Sequence, residues 1–358
     1  MKMLTVSLPG RTYDILISPR LLVRAGGIML AVLPHAKRLA VVSDTNVAPL
    51  YADTLLTSLR QAGYEPKLFT VPAGERSKNA SQLSALWEGF LEFGLTRTDA
   101  VIALGGGVVG DLAGFAAATV LRGVDFVQIP TTLLAQVDSS VGGKVAIDLA
   151  AGKNLAGAFW QPKLVLIDPD VLHTLPDRVF ADGMAEVIKY GCIFDAPFFT
   201  LLEEHPSREQ VMERMEEVLF TCCDLKRRVV EEDERDTGNR MLLNFGHTLG
   251  HAYELAGHYE TYTHGEGVAA GMVAAAALGE HLSVTPAGTA QRISALLSKA
   301  GLPTSIPCPE EGYAAAIGRD KKGAGDSISL ILLRALGQAV AHKMPKDTLL
   351  TLIKELSL

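Results

Sequence analysis

Ala100-Val101-Ile102-Ala103-Leu104-Gly105-Gly106-Gly107-Val108-Val109-Gly110-Asp111 is a run of apolar residues followed at once by a glycine-rich turn. An unbroken apolar run ending at glycine reads as a strand buried on both faces, with a helix to follow. The glycines at 105, 107 and 110 satisfy G-x-G-x-x-G, and backbone amides at such a helix start can hold a pyrophosphate. By itself the match also fits a turn that needs glycine only for close packing. It stands away from the first strand–helix–strand unit, where a dinucleotide turn normally opens.

Upstream, Leu39 to Ser43 reads as a buried strand ending in Asp44-Thr45-Asn46, and Tyr51 to Ala62 as a helix. Lys67 to Val71 is the next strand. Pro72 to Lys78 is a loop, with Ser77 as the expected N-cap of a helix running to Phe93. Leu4 to Leu8 and Tyr13 to Ile17 alternate around Pro9-Gly10, a hairpin signature. Downstream, a strand leads into Ile129-Pro130-Thr131-Thr132, irregular chain covers 138 to 154, and Leu164 to Ile167 is a further strand. Strands alternating with helices imply an α/β domain with a mostly parallel, Rossmann-like sheet.

Ligands in such a sheet bind at the carboxyl ends of the strands. Three of those ends carry polar or glycine-rich turns: 44–46, 74–78 and 105–111. The stretch from 138 to 154 adds an aspartate, glycines, Lys144, Lys153 and Asn154. Lysines beside glycine amides suit a phosphate or a carboxylate, although a solvated loop would use the same residues.

From Pro176 onward the strand pattern stops, which predicts an N-terminal α/β domain over 1–175 and an all-α domain over 176–358. Glu186 and Lys189 stand three apart on one helical face, the usual spacing of a surface ion pair. Glu209 to Arg235 reads as one long helix containing Lys226, and Arg240 follows. Helices are expected near Pro286 to Ala300 and Lys346 to Leu356, with Asp320-Lys321-Lys322-Gly323 in a loop.

Between these lies Asn244-Phe245-Gly246-His247-Thr248-Leu249-Gly250-His251-Ala252-Tyr253-Glu254, and then Thr263-His264-Gly265-Glu266. His247 and His251 fall four apart in a helical run, so both project from one face. Imidazoles from such a helix and from the following His264 loop, joined by a carboxylate from elsewhere, are the usual makings of a catalytic zinc site, which needs three protein ligands and one open position. Surface or core histidines at the same spacing are the alternative.

A net charge of −7 argues against a nucleic-acid partner, while a local cluster of lysine and arginine still allows an anionic small substrate. No apolar run is long enough to span a bilayer, and the first residues alternate like a strand rather than forming a signal-peptide core. The four cysteines lack CxxC spacing, so reduced thiols and a cytoplasmic protein are expected.

Six segments together resemble the 3-dehydroquinate synthase family, one of the sugar phosphate cyclases. They are Gly105 to Phe115, Arg122 to Lys144, Gly152-Lys153-Asn154, Ala185 to Gly191, Leu243 to Ala252 and His264-Gly265-Glu266. The likeness runs in order from about residue 40 to about residue 323. It implies an NAD-binding α/β domain, a helical domain, a divalent metal (zinc or cobalt) and a cytoplasmic homodimer. Carried over by motif, the metal ligands fall on Glu186, His247 and His264, which leaves His251 to the phosphate and to proton transfer. The NAD positions resemble Asp44, Asn46, Glu75, Lys78, Gly106, Gly107, Asp111, Thr131, Thr132, Lys144, Lys153 and Thr174. The substrate positions resemble Arg122, Asp138, Lys144, Asn154, Lys189, Lys226, Arg240, Asn244, His251 and Lys321. In the family, the arginine matching Arg122 reaches into the partner subunit's site.

The resemblance implies conversion of a phosphorylated sugar acid, 3-deoxy-D-arabino-heptulosonate 7-phosphate, to 3-dehydroquinate and phosphate, a step of aromatic amino-acid biosynthesis. Oxidation by NAD, phosphate elimination, re-reduction and an intramolecular aldol closure would follow one another. Lys144, Asn154, His251 and Lys321 would hold the phosphate, and Lys226 and Arg240 the carboxylate. Two departures stand out: Asp236 where the family commonly has glutamate, and Val145-Ala146-Ile147-Asp148 where Thr-Gly-Ile-Asn is common. The rival readings are a metal-containing alcohol or glycerol dehydrogenase, another sugar phosphate cyclase, and a non-catalytic nucleotide sensor. The phosphate cluster argues against the first, the intact Asp138 to Lys144 run against the second, and the complete ligand set against the third.

Overall fold

The computed structural model describes residues 1–257, 261–319 and 326–356. Two compact units emerge, Met1–Leu175 with Leu219–Arg235, and Pro176–Val218 with Asp236–Leu358.

In the first unit, β1 (Lys2–Val6) and β2 (Tyr13–Ile17) form the expected antiparallel hairpin. There follow α1 (Ala25–Val32), β3 (Arg38–Asp44), α2 (Ala48–Gln61), β4 (Glu65–Val71), α3 (Ala80–Glu92), β5 (Ala100–Gly105), α4 (Gly107–Thr119) and β6 (Asp125–Pro130). Strands β7 (Lys144–Leu149) and β8 (Gly152–Phe159) make a separate hairpin, and β9 (Leu164–Ile167) returns to the main sheet. The seven-stranded sheet has the order β1-β2-β9-β6-β5-β3-β4 and is parallel except for β1.

Alternation along the central strands explains why they read as continuous apolar runs. Leu39, Val41, Ile102 and Leu104 join α1 and α2 in one core layer, while Ala40, Val42, Val101 and Ala103 join α3 and α4 in the other. Both faces are therefore covered, as parallel sheets require. The chain runs from β3 out to β4, then crosses to β5 on the opposite side of β3. The carboxyl ends of β3 and β5 thus flank the switch point where doubly wound sheets take ligands.

Local expectations change in two places. Asn79, not Ser77, caps α3: its side chain accepts from the Gln82 amide at 2.9 Å, while the Ser77 hydroxyl turns to the Pro72 carbonyl. The stretch 138–154 is not irregular throughout. A π-helical turn, Ala135–Ser139, carries Asp138, and the β7–β8 hairpin carries both lysines.

The second unit contains α5 (Asp177–Phe194), α6 (Ala196–Glu204) and α7 (Arg208–Glu213). The helix α8 (Met215–Glu232) begins in this unit, and its residues from Leu219 onward pack with the first. The single helix expected over 209–235 is thus two, broken at Arg214 (φ −109°, ψ 12°). The remaining elements are α9 (His247–Ala256), α10 (His264–His281), α11 (Thr289–Lys299), α12 (Glu310–Arg319), β10 (Ser327–Ala335), β11 (Gln338–Pro345) and α13 (Lys346–Glu355). This unit is helical but not all-α, because β10 and β11 pair as an antiparallel hairpin. Ile328, Leu330 and Leu332 of β10 pack with Leu249, Ala270, Ala274 and Leu278 of α9 and α10. No described helix is long and apolar enough to cross a membrane.

Candidate active site

In the second unit, α5 is buried along most of its length, and it brings Glu186 and Lys189 with it. Both side chains are almost wholly enclosed and form an ion pair through Glu186 Oε2. The pair anticipated at the surface is therefore a core pair. Removing one partner of such a pair leaves an uncompensated buried charge, at a cost of roughly 3–5 kcal/mol.

Two histidines converge on the other carboxylate oxygen. His247 Nε2 lies 3.5 Å and His264 Nε2 3.6 Å from Glu186 Oε1. The donor atoms of Glu186, His247 and His264 all lie within 4.8 Å of one another. His251, one turn beyond His247, is more exposed and is not part of this group. The helical spacing alone pointed to the pair 247/251, whereas the residues that meet are 247 and 264.

Convergence depends on two helix starts. Gly246, with φ 80°, ends the preceding turn and opens α9 at His247. His264 is the first residue of α10, where Thr263 and Glu266 form a reciprocal capping box. Arg178 clamps Glu266 through two bonds of 2.7 and 2.8 Å, and Asp182 of α5 accepts from the Gly265 amide at 2.5 Å. One helix, α5, thus supplies Glu186 and also fixes the start of α10. The Thr263-x-x-Glu266 signature was legible in the sequence.

Electrostatics separate the two imidazoles. Burial pushes the His247 pKa down to about 3, helped by the Lys189 ammonium. Burial also opposes charge on His264, but hydrogen bonds to Glu186 and Glu254 outweigh it and hold that pKa well above the usual value.

Arg240 and Asn244 lie in a short 3-10 stretch, Asn239–Asn244, with Arg240 buried. Asp236 has a left-handed backbone (φ 57°), which aspartate tolerates far better than glutamate. Lys321 lies outside the described residues.

In the first unit, Asp44 ends β3 and accepts the amides of Asn46 (2.8 Å) and Val47 (2.9 Å). Gly106 and Gly107 form the turn between β5 and α4. A Cβ on Gly106 would stand 3.0 Å from Thr132 Cγ2, and one on Gly107 3.2 Å from Ser139 Oγ. Thr131 is buried, and the Thr132 hydroxyl accepts from the Ala135 amide at 3.2 Å. Lys78 pairs with Asp111 at 2.7 Å and lies 3.6 Å from Glu75. Burial opposes the Lys78 charge, but Asp111 and Glu75 prevail and raise its pKa. Asp148 of β7 donates its amide to the Lys78 carbonyl at 2.8 Å, which ties the hairpin bearing Lys144, Lys153 and Asn154 to this cluster. Thr174 closes a 3-10 turn and bonds the Val171 carbonyl.

Asp138 meets Lys226 of α8 at 2.7 Å, so these two positions are brought together. Arg122 is exposed on a loop where Leu121 (φ 51°), Arg122 (φ 68°) and Gly123 (φ 112°) are left-handed in succession. Such backbone at two non-glycine residues costs about 1–2 kcal/mol each and is typical of functional loops.

Glu254 was quoted in the histidine run but given no role. Its burial and its contact with His264 single it out in the structure.

The fold and the histidine–carboxylate cluster place the chain in the sugar phosphate cyclase class. The crystal structure of 2-deoxy-scyllo-inosose synthase complexed with carbaglucose-6-phosphate, NAD+ and Co2+ superposes with a TM-score of 0.89 at 25% identity, over 99% of this chain and 100% of that one. A 2-epi-5-epi-valiolone synthase from Streptomyces hygroscopicus with NAD+ and Zn2+ bound gives 0.85 at 30% identity, over 96% and 97%. An iron-containing alcohol dehydrogenase shares the fold alone, with a TM-score of 0.67 at 14% identity over 96% of each chain.

Within that class the sequence is specific. Residues 68–182 match the 3-dehydroquinate synthase N-terminal family model and residues 183–323 the C-terminal one. The 3-dehydroquinate synthases of Clostridium botulinum (47% identical over 340 residues, 95% of this chain and 97% of that protein) and Clostridium perfringens (48% over 343 residues, 96% and 98%) are among its relatives. That of Pelobacter propionicus is 47% identical over 361 residues, 98% of this chain and 99% of that protein. The chain belongs to the 3-dehydroquinate synthase family.

Proposed function

We propose that this enzyme converts 3-deoxy-D-arabino-heptulosonate 7-phosphate to 3-dehydroquinate and phosphate, with NAD and a divalent metal, zinc or cobalt. The observation that carries this is the Glu186–His247–His264 cluster in a chain of this family. Two imidazoles and one carboxylate are a three-ligand catalytic set that leaves a position open, His264 giving up a proton as a metal binds. Each imidazole also has its other nitrogen engaged, His247 Nδ1 by the Phe245 carbonyl at 3.2 Å and His264 Nδ1 by Glu254 at 3.4 Å, as metal-binding histidines generally do.

The dinucleotide reading is supported by Asp44 and Gly106 at the switch point between β3 and β5 and by the Lys78–Asp111 pair beside them. When bound, the metal supplies Lewis acidity and the dinucleotide a reversible hydride acceptor. The chain's own residues do the rest. Lys189 neutralises the second Glu186 oxygen and keeps that carboxylate in one rotamer. Lys144, Asn154, His251 and Lys321 take the phosphate, with His251 moving the proton; Lys226 and Arg240 take the carboxylate. Asp138, paired with Lys226, fixes that ammonium.

The reading also carries a cytoplasmic homodimer. Four cysteines in the thiol form suit a reducing compartment, and the strained, exposed Arg122 loop suits a residue offered to a neighbouring subunit.

The test is phosphate release from the heptulosonate phosphate by purified protein, with absorbance of NADH followed in parallel. Phosphate should appear without net NADH. Stoichiometric NADH accumulation would instead mark a dehydrogenase, and a cyclitol product another cyclase.

A further inference from the structure

One carboxylate of the second unit lies outside the ligand set yet touches it. Glu254 sits on α9, seven residues after His247, and is only 4% exposed. Its Oε1 is 3.4 Å from His264 Nδ1, and its Oε2 is 3.9 Å from His251 Nε2. The His264 ring is therefore spanned by two carboxylates: Glu254 at Nδ1 and, through Nε2, Glu186 at 3.6 Å.

The room for this arrangement comes from the crossing of α9 and α10. A Cβ on Gly267 would lie 3.0 Å from the Gly250 carbonyl and 3.3 Å from Glu254 Cγ. Glycine at 267 thus lets α10 approach α9 closely enough for a glutamate on one to reach a histidine on the other.

We propose that Glu254 is a positioning residue of the metal centre, accepting the Nδ1–H of His264 and so holding the tautomer whose Nε2 lone pair faces the Glu186–His247 group. This rests on the reading of that group as a metal site. Once a metal takes the place of the Nε2 proton the imidazole carries one N–H, and fixing it on Nδ1 keeps Nε2 as a donor and makes it more basic. His247 obtains the same tautomer from a backbone carbonyl, which no side-chain substitution can remove. His264 depends on a side chain, and that dependence is open to test. A glutamine at 254 keeps the shape but can donate to Nδ1, which favours the tautomer with Nε2 protonated and unable to ligate.

The experiment measures Zn2+ affinity of the metal-free full-length protein by competition with a chelating dye, together with the visible absorption of the Co2+-loaded protein. Glu254→Gln is expected to weaken Zn2+ binding about 10–100-fold and to shift the Co2+ band, with the melting temperature of the metal-free protein little changed. Affinity within about threefold of wild type, with an unshifted Co2+ band, overturns the proposal while leaving the metal site intact. Failure of the wild-type protein itself to bind either ion overturns the metal reading and this inference with it. Should the glutamine variant fail to fold, Glu254→Asp carries the same test. Its shorter side chain lengthens a contact that is already 3.4 Å, so a loss of fivefold or more supports the proposal and unchanged affinity overturns it.

Discussion

Replacing Gly271 by alanine is the sharpest probe of how the histidine centre is built. Gly271 faces the start of α9: an added Cβ would stand 2.0 Å from the Gly246 carbonyl oxygen, 2.8 Å from the Gly250 amide nitrogen and 3.0 Å from the Gly246 carbonyl carbon. Ordinary contact begins near 3.4 Å, and every one of these atoms is backbone, so no side-chain rotation relieves the overlap. The two helices would have to part by on the order of 1 Å, against a packed core that resists such movement. In an open helix the change from glycine to alanine stabilises by about 1 kcal/mol. Overpacking a close-packed site costs about 1–3 kcal/mol, and a rigid wall pushes toward the upper end, so a net loss of about 2 kcal/mol is expected. Gly246 directly precedes His247, so the same displacement drags one ligand away from Glu186 and His264. Ligand sets tolerate only about 0.5 Å of error, which predicts at least a tenfold weaker Zn2+ affinity. Urea unfolding and dye competition would report both quantities, with Gly318→Ala as the control, since a Cβ there meets nothing within 4 Å. A Gly271→Ala protein as stable as wild type, with unchanged Zn2+ affinity, would refute the account of the helix crossing.

Three further outcomes are expected. Asp99, buried at the start of β5, resists desolvation because the amides of Arg38 and Lys37 and the Thr96 amide and hydroxyl hold its carboxyl below the usual range. Its contribution is therefore fully present above the unfolded carboxylate pKa of about 3.9 and is lost as pH falls through the lower folded value; Asp99→Asn should cost about 1–3 kcal/mol in urea unfolding at neutral pH, and a deficit that failed to shrink on acidification would refute this. Stripping metal with a chelator should lower the thermal midpoint, since a ligand present at a thousand times its Kd stabilises by about 4 kcal/mol; an identical melt with and without Zn2+ would count against the centre. Arg122→Ala protein should be inactive yet regain some activity when mixed with a protein inactivated at His251, and no recovery after verified subunit exchange would remove the shared-site role.

What the sequence disclosed, and what it did not, follows from where each interaction lies. The parallel sheet was legible because both of its faces are buried, which leaves unbroken apolar runs such as Val101 to Leu104. The β10–β11 hairpin was missed for a related reason. Ile331 and Leu333 are buried along with Ile328, Leu330 and Leu332, so the two-residue alternation that marks a hairpin strand is blurred, and only Gly337 in the turn (φ 79°) signalled it. Glu186 and Lys189 show the limit of spacing as a guide. Three residues apart on a helix describes an exposed pair and a buried one equally well, and only the packing of α5 decides between them.

The histidines carry that point furthest. Spacing within one helix can say that His247 and His251 share a face, but a metal centre is defined by convergence, and convergence here comes from a second helix. What brings His264 across is the approach of α10 to α9, and that approach is encoded not in the histidines but in glycines. Gly246 and Gly250 on one side, with Gly267 and Gly271 on the other, each stand where a Cβ would strike the opposing backbone or come within 3.0 Å of it. Both pairs are spaced by four, so each presents its glycines on a single helical face. Two histidines four apart are ambiguous; two such glycine pairs describe a close crossing, and His264, which opens the second helix of that crossing, is the one placed to complete the set.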